Sequence, residues 1–287
     1  MSRLARLHRG GLLGGAIVAT FAAVAVLAPV IAPYGVDQSF SQIFGHPSLA
    51  HPFGLDDSTH DVLTRVMWGG RTSLSIGLAA TAIAVLLGTT VGVLAGYSRG
   101  LVDHALMRIT DYVLVLPSIP LVIVVIATWG PSVSHLAIVI GLLLWTTTAR
   151  LVRAQVKSMR ELVYVRRAVS LGASDARIVT RYILPQVTPL VLASAVLTLA
   201  HAIFVEAALA FLGLGDPGSV SWGTMIEAAF QRTAVSAGAW WTIVAPGTCI
   251  AVFILACSLL SRASEEALNP RLRVAYLSAR GPRIVPR

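Results

Sequence analysis

A single carboxylate lies deep within one of the long apolar runs of this sequence. Glu206 stands inside the run of residues 187–212. A charged side chain at the centre of a bilayer costs about 2.5 to 3.5 kcal/mol, so such a group normally faces a bundle interior or water. Glu206 is therefore a candidate for lining a translocation pathway across the membrane. Trp145 and His201 are weaker candidates for the same pathway.

Other roles are open for Glu206. As a structural group it would hydrogen-bond the unwound end of a helix near Gly213 and Gly215, and this interpretation carries equal weight. As a titrating group it would serve a proton-coupled secondary transporter. A membrane-embedded enzyme is a poorer hypothesis, because Glu206 has no clear nucleophile or metal-ligating partner within the apolar runs.

The motifs of several common catalytic sites are missing from the sequence. It contains no Gly-rich phosphate loop with Lys, no His-Glu-x-x-His and no Gly-x-Ser-x-Gly. Cys249 and Cys257 share one apolar run without partner ligands, which favours buried thiols over a redox or metal site. We therefore expect no catalytic residue, metal or cofactor on this chain, and any energy source to be a partner.

The composition indicates that lipid is the main solvent. Hydrophobic residues make up 56% of the 287 residues and charged residues 12%, too few to cover a soluble globule of this size. A helix needs about 20 apolar residues to cross the hydrocarbon core. Six stretches meet that length and predict an all-α polytopic membrane protein: 11–33, 73–97, 105–129, 135–152, 187–212 and 239–261.

The basic residues predict the orientation of these spans. The net charge is +9, and nineteen of the 22 Lys and Arg residues fall on one side of the six-span arrangement. Only Arg65, Arg71 and Arg232 fall on the other side. By the positive-inside rule both termini are cytoplasmic. Because the basic clusters alternate with apolar runs instead of lining one polar face, we do not expect nucleic acid as a partner.

Two loops between the spans are long enough to carry helices. In the outer loop of residues 34–72, Ser58 to Asp61 form a capping-box pattern before an amphipathic stretch, which predicts a short helix at the outer interface. In the cytoplasmic loop of residues 153–186, Gly172 separates two short helices. Ser174 is placed to cap the second of these helices, and Pro185 to end it.

The stretch from Tyr164 to Pro185 reads YVRRAVSLGASDARIVTRYILP. It resembles the coupling loop of bacterial ABC importer permeases, in which an Ala-rich helix, a Gly and a downstream Leu-Pro recur at this spacing. In that family the loop docks in a groove of a separate ATPase and transmits ATP-driven closure to the spans. The resemblance assigns coupling to nine residues: Arg166, Arg167, Ala168, Gly172, Ala173, Ser174, Asp175, Leu184 and Pro185.

The loop departs from the family pattern at its start. Arg166, Arg167 and Ala168 stand where the family usually has Glu-Ala-Ala, so a basic residue replaces an acidic contact. This exchange predicts a compensating acidic residue on the partner.

More of the chain is similar to a narrower group, the C-type subunits of dipeptide, oligopeptide and nickel permeases. Three segments carry this similarity in the expected order. The first is HPFGLDD, followed by Asp61, Val62 and Leu63 and then by Arg71, Ser73 and Leu74. The second is EAALAFLGLG from Glu206 to Gly215, followed by Ser221, Trp222, Gly223 and Met225. The third is Asn269, Pro270, Arg271 and Leu272.

The resemblance implies a type I ABC importer permease fold with six transmembrane helices. It places an N-terminal segment with the first span at 1–72, the type I transmembrane domain at 73–262 and a cytoplasmic tail at 263–287. The implied partners are a homologous B-type permease subunit, two ATPase subunits that bind ATP and Mg²⁺, and an extracytoplasmic binding protein. Peptides are the expected substrates, with nickel chelates and other small solutes open.

Overall fold

The computed structural model describes residues 3–268, with side chains for residues 10–264. Within that range the regular structure is helical, and ten α-helices follow one another along the chain. They are α1 Arg3–Ile31, α2 Val62–Tyr97, α3 Leu101–Val115, α4 Ser118–Trp129, α5 Val133–Arg160, α6 Val163–Ser170, α7 Asp175–Ile178, α8 Leu184–Leu209, α9 Trp222–Gln231 and α10 Trp241–Leu268. Short π-helical turns, Val179–Ile183 and Ala210–Leu214, extend α8 at both ends.

The prediction of a polytopic membrane protein is confirmed. Five described helical segments are long and apolar enough to cross a membrane, and α3 and α4 together form a sixth if a bent pair counts as one span. The third predicted span, 105–129, is interrupted at Pro117, as its prolines indicate, and α3 and α4 meet at 85°. Leu116, which precedes Pro117, is extended with ψ of 131°, as steric contact with a following proline ring favours.

The outer end of α2 differs from the prediction. The amphipathic stretch after Asp61 is not a separate interfacial helix, because it forms the first turns of the 36-residue helix α2. Asp61 caps this helix, since its carboxylate accepts a hydrogen bond of 2.8 Å from the Thr64 backbone N–H. The domain boundary placed after residue 72 therefore falls within a helix.

The centre of the bundle is the close packing of α2 on α5. Three glycines of α2, Gly88, Gly92 and Gly96, face α5 at intervals of four residues. A Cβ atom on Gly92 would lie 2.7 Å from the Ala149 carbonyl oxygen, so the two backbones touch. Small residues at this spacing allow membrane helices to approach closely.

The remaining helices enclose this pair. Helix α1 packs along α10, where a Cβ atom on Gly14 would lie 2.6 Å from the Ala256 carbonyl oxygen. Helix α8 packs against α2, α5 and α10. The C-terminal motif predicted at Asn269 to Leu272, and most of the tail predicted at 263–287, lie outside the described residues.

Candidate functional site

The predicted helix pair between the fourth and fifth spans is present as α6 and α7, and Gly172 is the turn between them. Gly172 has φ of +80°, in the left-handed region that side chains disfavour. Its N–H donates to the Val169 carbonyl at 2.9 Å, and the Ala173 N–H donates to the Ala168 carbonyl at 3.1 Å. These two bonds form a complete Schellman motif, which satisfies carbonyls at the end of α6.

The second helix of the pair differs from the prediction in two respects. Ser174 occupies the N-cap position of α7, but its side chain makes no capping hydrogen bond. Pro185 does not end the helix, because α7, a π-helical turn and α8 form one continuous helical segment, Asp175–Leu214. Leu184 and Pro185 stand in the first turn of α8, where proline is tolerated. The loop therefore leads directly into a membrane-spanning helix.

The 161–185 loop is anchored on one side and exposed on the other. Val165 and Ile178 are fully buried against Val152 and Val156 of α5 and Val187 of α8. On the opposite side the loop exposes apolar residues at its tip, where Leu171 is 87% exposed and Val169 53%. The exposed apolar residues at the tip are suited to insertion into a groove of another protein, because the buried residues Val165 and Ile178 fix the position of the loop.

The basic residues at the start of the loop have different surroundings. The Arg166 guanidinium hydrogen-bonds the Glu161 carboxylate, and this bond lowers the pKa of the Glu161 carboxyl from its ordinary value. Arg167 is exposed. The charge of Arg166 thus has an acidic partner within the chain, and the acidic residue predicted on another subunit stays a prediction.

A cavity of about 620 Å³ lies between the loop and the end of α2. Tyr97, Arg99, Arg160 and Asp175 contribute to its lining. The Tyr97 hydroxyl donates to Asp175 Oδ1 at 2.6 Å, and an Arg160 Nη donates to the Tyr97 carbonyl at 2.7 Å. The C-terminal ends of α2 and α5 and the N-terminus of α7 therefore meet at this cavity.

Glu206 lies in a buried contact between three helices and is only 1% exposed. Its Oε2 accepts a hydrogen bond of 3.0 Å from the Ser73 hydroxyl on α2. The same hydroxyl accepts one of 3.2 Å from the Trp222 backbone N–H at the start of α9. The structural interpretation of Glu206 predicted a hydrogen bond to the helix end near Gly213 and Gly215, whereas the observed partner is Ser73.

The structure does not bring the three candidate pathway residues together. Trp145 packs in a small buried cluster with Ala84 and Ala149, between α2 and α5. His201 is exposed on α8. Leu197 and Phe204 are exposed on the same helix at spacings that place them on one face with His201.

Sequence reasoning placed Ser73 in the outer-loop signature without its contact, and it missed Tyr97 and the glycines of α2. The glycines were recognisable, because positions 88, 92 and 96 repeat the spacing of small residues that is typical of packed membrane helices. The contacts of Ser73 and Tyr97 carried no such signal. Their partners are 133 and 78 residues away in the sequence.

Comparison with known proteins shows the family to which this chain belongs. Residues 88–274 match the family model described as the binding-protein-dependent transport system inner membrane component. A Brucella suis biovar 1 protein named for a peptide transport system permease is 37% identical over 257 residues, which cover 88% of this chain and 86% of the relative.

Two further relatives carry more specific names. The dipeptide transport system permease protein of Alkalihalophilus pseudofirmus is 34% identical over 91% of this chain and 86% of its own length. The glutathione transport system permease protein of Pectobacterium atrosepticum is 31% identical over 90% and 86%. The chain belongs to the family of inner membrane components of binding-protein-dependent transport systems.

Proposed function

We propose that this chain imports peptides as one of two homologous permease subunits, and that its 161–185 loop receives the movement of a separate ATPase. The observation that carries the proposal is the loop itself, which exposes Leu171 at its tip and continues without a break into the spanning helix α8. A displacement of the loop is therefore a displacement of a membrane helix. Peptides are the proposed substrates because the relatives are named for peptide, dipeptide and glutathione transport.

Within the loop the proposed coupling residues have two roles. Ala168, Gly172 and Ala173 form the turn that presents the tip, while Arg166 and Arg167 are exposed for contact with the ATPase. ATP and Mg²⁺ bind to the ATPase subunits in this proposal.

The translocation pathway is proposed to lie against the exposed face of α8 that carries His201. Exposure of the His201 imidazole to lipid is unfavourable, so this face of α8 is better suited to contact with a partner subunit or a water-filled cavity. Glu206 is proposed to hold α8 to α2 and α9 through Ser73. The extracytoplasmic binding protein would then deliver peptide at the opposite end of the bundle from the 161–185 loop.

Uptake by the complete complex in proteoliposomes tests this function against proton coupling. With binding protein and labelled dipeptide present, we expect uptake to require ATP and to persist with a protonophore. Glu206→Gln keeps an oxygen that accepts from Ser73, so near-normal uptake is expected for it. ATP-independent uptake that collapses with the protonophore, and is lost in Glu206→Gln, would support the proton-coupled alternative.

The proposed orientation predicts opposite labelling of two exposed loops. In a variant with Cys249 and Cys257 replaced by alanine, we expect a cysteine at Ser170 to react only from the cytoplasmic side. A cysteine at Ser236, in the loop between α9 and α10, should react only from outside. Impermeant maleimide labelling of intact cells and inverted vesicles measures this, and reaction of both from one side would contradict the orientation.

A further inference from the structure

Helix α2 and the continuous segment Asp175–Leu214 run antiparallel and are joined at both ends. At the loop end, the Tyr97 hydroxyl donates to Asp175 Oδ1 at 2.6 Å. At the other end, the Ser73 hydroxyl donates to Glu206 Oε2 at 3.0 Å. The 24 residues from Ser73 to Tyr97 span roughly 36 Å of helix, so the two bonds lie near opposite ends of the membrane-crossing part of α2.

Close packing joins the same helices between these hydrogen bonds. A Cβ atom on Gly77 would lie only 2.6 Å from an Ile203 side-chain carbon, so α8 lies directly on the α2 backbone at this level. Two helices in such contact cannot slide past each other without repacking. The pair is therefore held at three levels along its length.

The end of α2 is also fixed to α5. The last carbonyls of a helix have no partners within it, and the Tyr97 carbonyl accepts a 2.7 Å hydrogen bond from an Arg160 Nη. The Ser98 carbonyl lies 3.4 Å from the same nitrogen. Tyr97 thus contacts the last residue of α5 through its backbone and the first residue of α7 through its side chain, so it joins the start of the loop to the second helix of the loop.

We infer that Tyr97 and Asp175 are positioning residues for energy coupling. Their hydrogen bond makes α2 move together with the loop and with Asp175–Leu214, so that movement of the loop reaches the Ser73 to Glu206 contact at the far end. Without this bond, the start of α7 can move relative to the end of α2, while α8 and α2 remain in contact at Gly77 and Ser73. The inference rests on the proposed function, because it requires an ATPase that moves the loop.

The test is Tyr97→Phe in the reconstituted complex with ATPase, second permease subunit and binding protein. This change removes one hydroxyl and keeps the ring, so we expect normal copurification of the ATPase and normal basal hydrolysis. Peptide-stimulated hydrolysis and uptake should fall by about tenfold, the effect of losing one hydrogen bond to a charged group. Tyr112→Phe is a matched control, because Tyr112 is 72% exposed on α3, and it should behave as wild type.

A second measurement separates positioning from a general structural defect. If Tyr97 acts through Asp175, then Tyr97→Phe should add nothing to Asp175→Ala. Normal stimulated hydrolysis and uptake in Tyr97→Phe would overturn the inference, as would a tenfold further loss on the Asp175→Ala background. Loss of ATPase copurification in Tyr97→Phe would also overturn it, because Tyr97 would then act in docking. A wild-type chain that binds no ATPase would instead contradict the proposed function.

Discussion

Replacing Gly92 by leucine is expected to prevent stable folding of the bundle. A Cβ atom at this position would lie 2.7 Å from both the Ala149 carbonyl oxygen and the Val152 Cβ, so α2 and α5 would have to separate. Separation also removes the neighbouring contacts of Gly88 and Gly96 with α5. Overpacking typically costs about 1 to 3 kcal/mol and occasionally more, and here the inserted side chain meets backbone as well as side-chain atoms. The thermal unfolding midpoint of the purified subunit in detergent, and its abundance in membranes, should both fall sharply.

Gly247→Leu is the matched control for this substitution. Gly247 lies in α10, and a Cβ atom there meets no neighbouring atom within 4 Å in the described structure. The control should therefore keep the wild-type unfolding midpoint within a few degrees. If Gly92→Leu unfolds at the same temperature as Gly247→Leu, the tight packing of α2 on α5 is contradicted.

Replacing Gly172 by valine is expected to weaken ATPase association or peptide-stimulated ATP hydrolysis while leaving the membrane bundle intact. Gly172 has φ of +80°, and a β-branched residue in this conformation costs at least about 1 to 2 kcal/mol. A Cβ atom at Gly172 would meet no atom beyond the adjacent residues within 4 Å, so the cost arises from the local backbone conformation and not from packing. Relief of the strain breaks the bonds of Gly172 and Ala173 to the end of α6. We expect near-normal membrane abundance, with ATPase association or peptide-stimulated hydrolysis reduced about tenfold or more.

Gly172→Asn distinguishes loss of the turn from loss of glycine itself. Asparagine tolerates the left-handed conformation and often replaces glycine at helix ends. Gly172→Asn should therefore keep most of the stimulated hydrolysis that Gly172→Val loses. Wild-type association, stimulated hydrolysis and uptake in Gly172→Val would contradict the role assigned to this turn.

The long helices were predictable from the sequence, whereas the shape of the third span was not. Apolar length alone determines whether a segment can cross a bilayer, and 105–129 satisfies that condition. A proline such as Pro117 favours a kink but does not determine its size, and the observed bend of 85° leaves α3 and α4 as separate helices. The angle depends on how α4 packs against α5, which hydropathy does not encode.

The turn at Gly172 was predicted correctly because it follows from local chemistry. Glycine is the residue that most readily adopts positive φ at a helix end, and the structure has it there. The prediction that Pro185 ends a helix was wrong for a reason that is also local. The π-helical turn Val179–Ile183 directly precedes it, and proline falls in the first turn of the next helix, so the helical path continues.

The contacts of Glu206 and Asp175 could not be predicted from spacing. The cost of a buried charge indicated correctly that Glu206 needs a polar partner. Ser73 supplies it from 133 residues away, and only the packing of α8 on α2 brings the two together. Likewise, the hydroxyl of Tyr97 reaches Asp175 because α2 ends beside α7.

Site-specific cross-linking from the loop tip tests the central claim most directly. A photoreactive amino acid at Leu171, incorporated in cells that express the whole transporter, should form an adduct with an ATPase subunit identified by mass spectrometry. Leu101, at the start of α3, is also 87% exposed and provides a matched control position with a much lower expected yield. A strong adduct from Leu171 and a weak one from Leu101 is the result the account predicts. A complex that hydrolyses ATP and imports peptide, yet forms no ATPase adduct from Leu171, would contradict it.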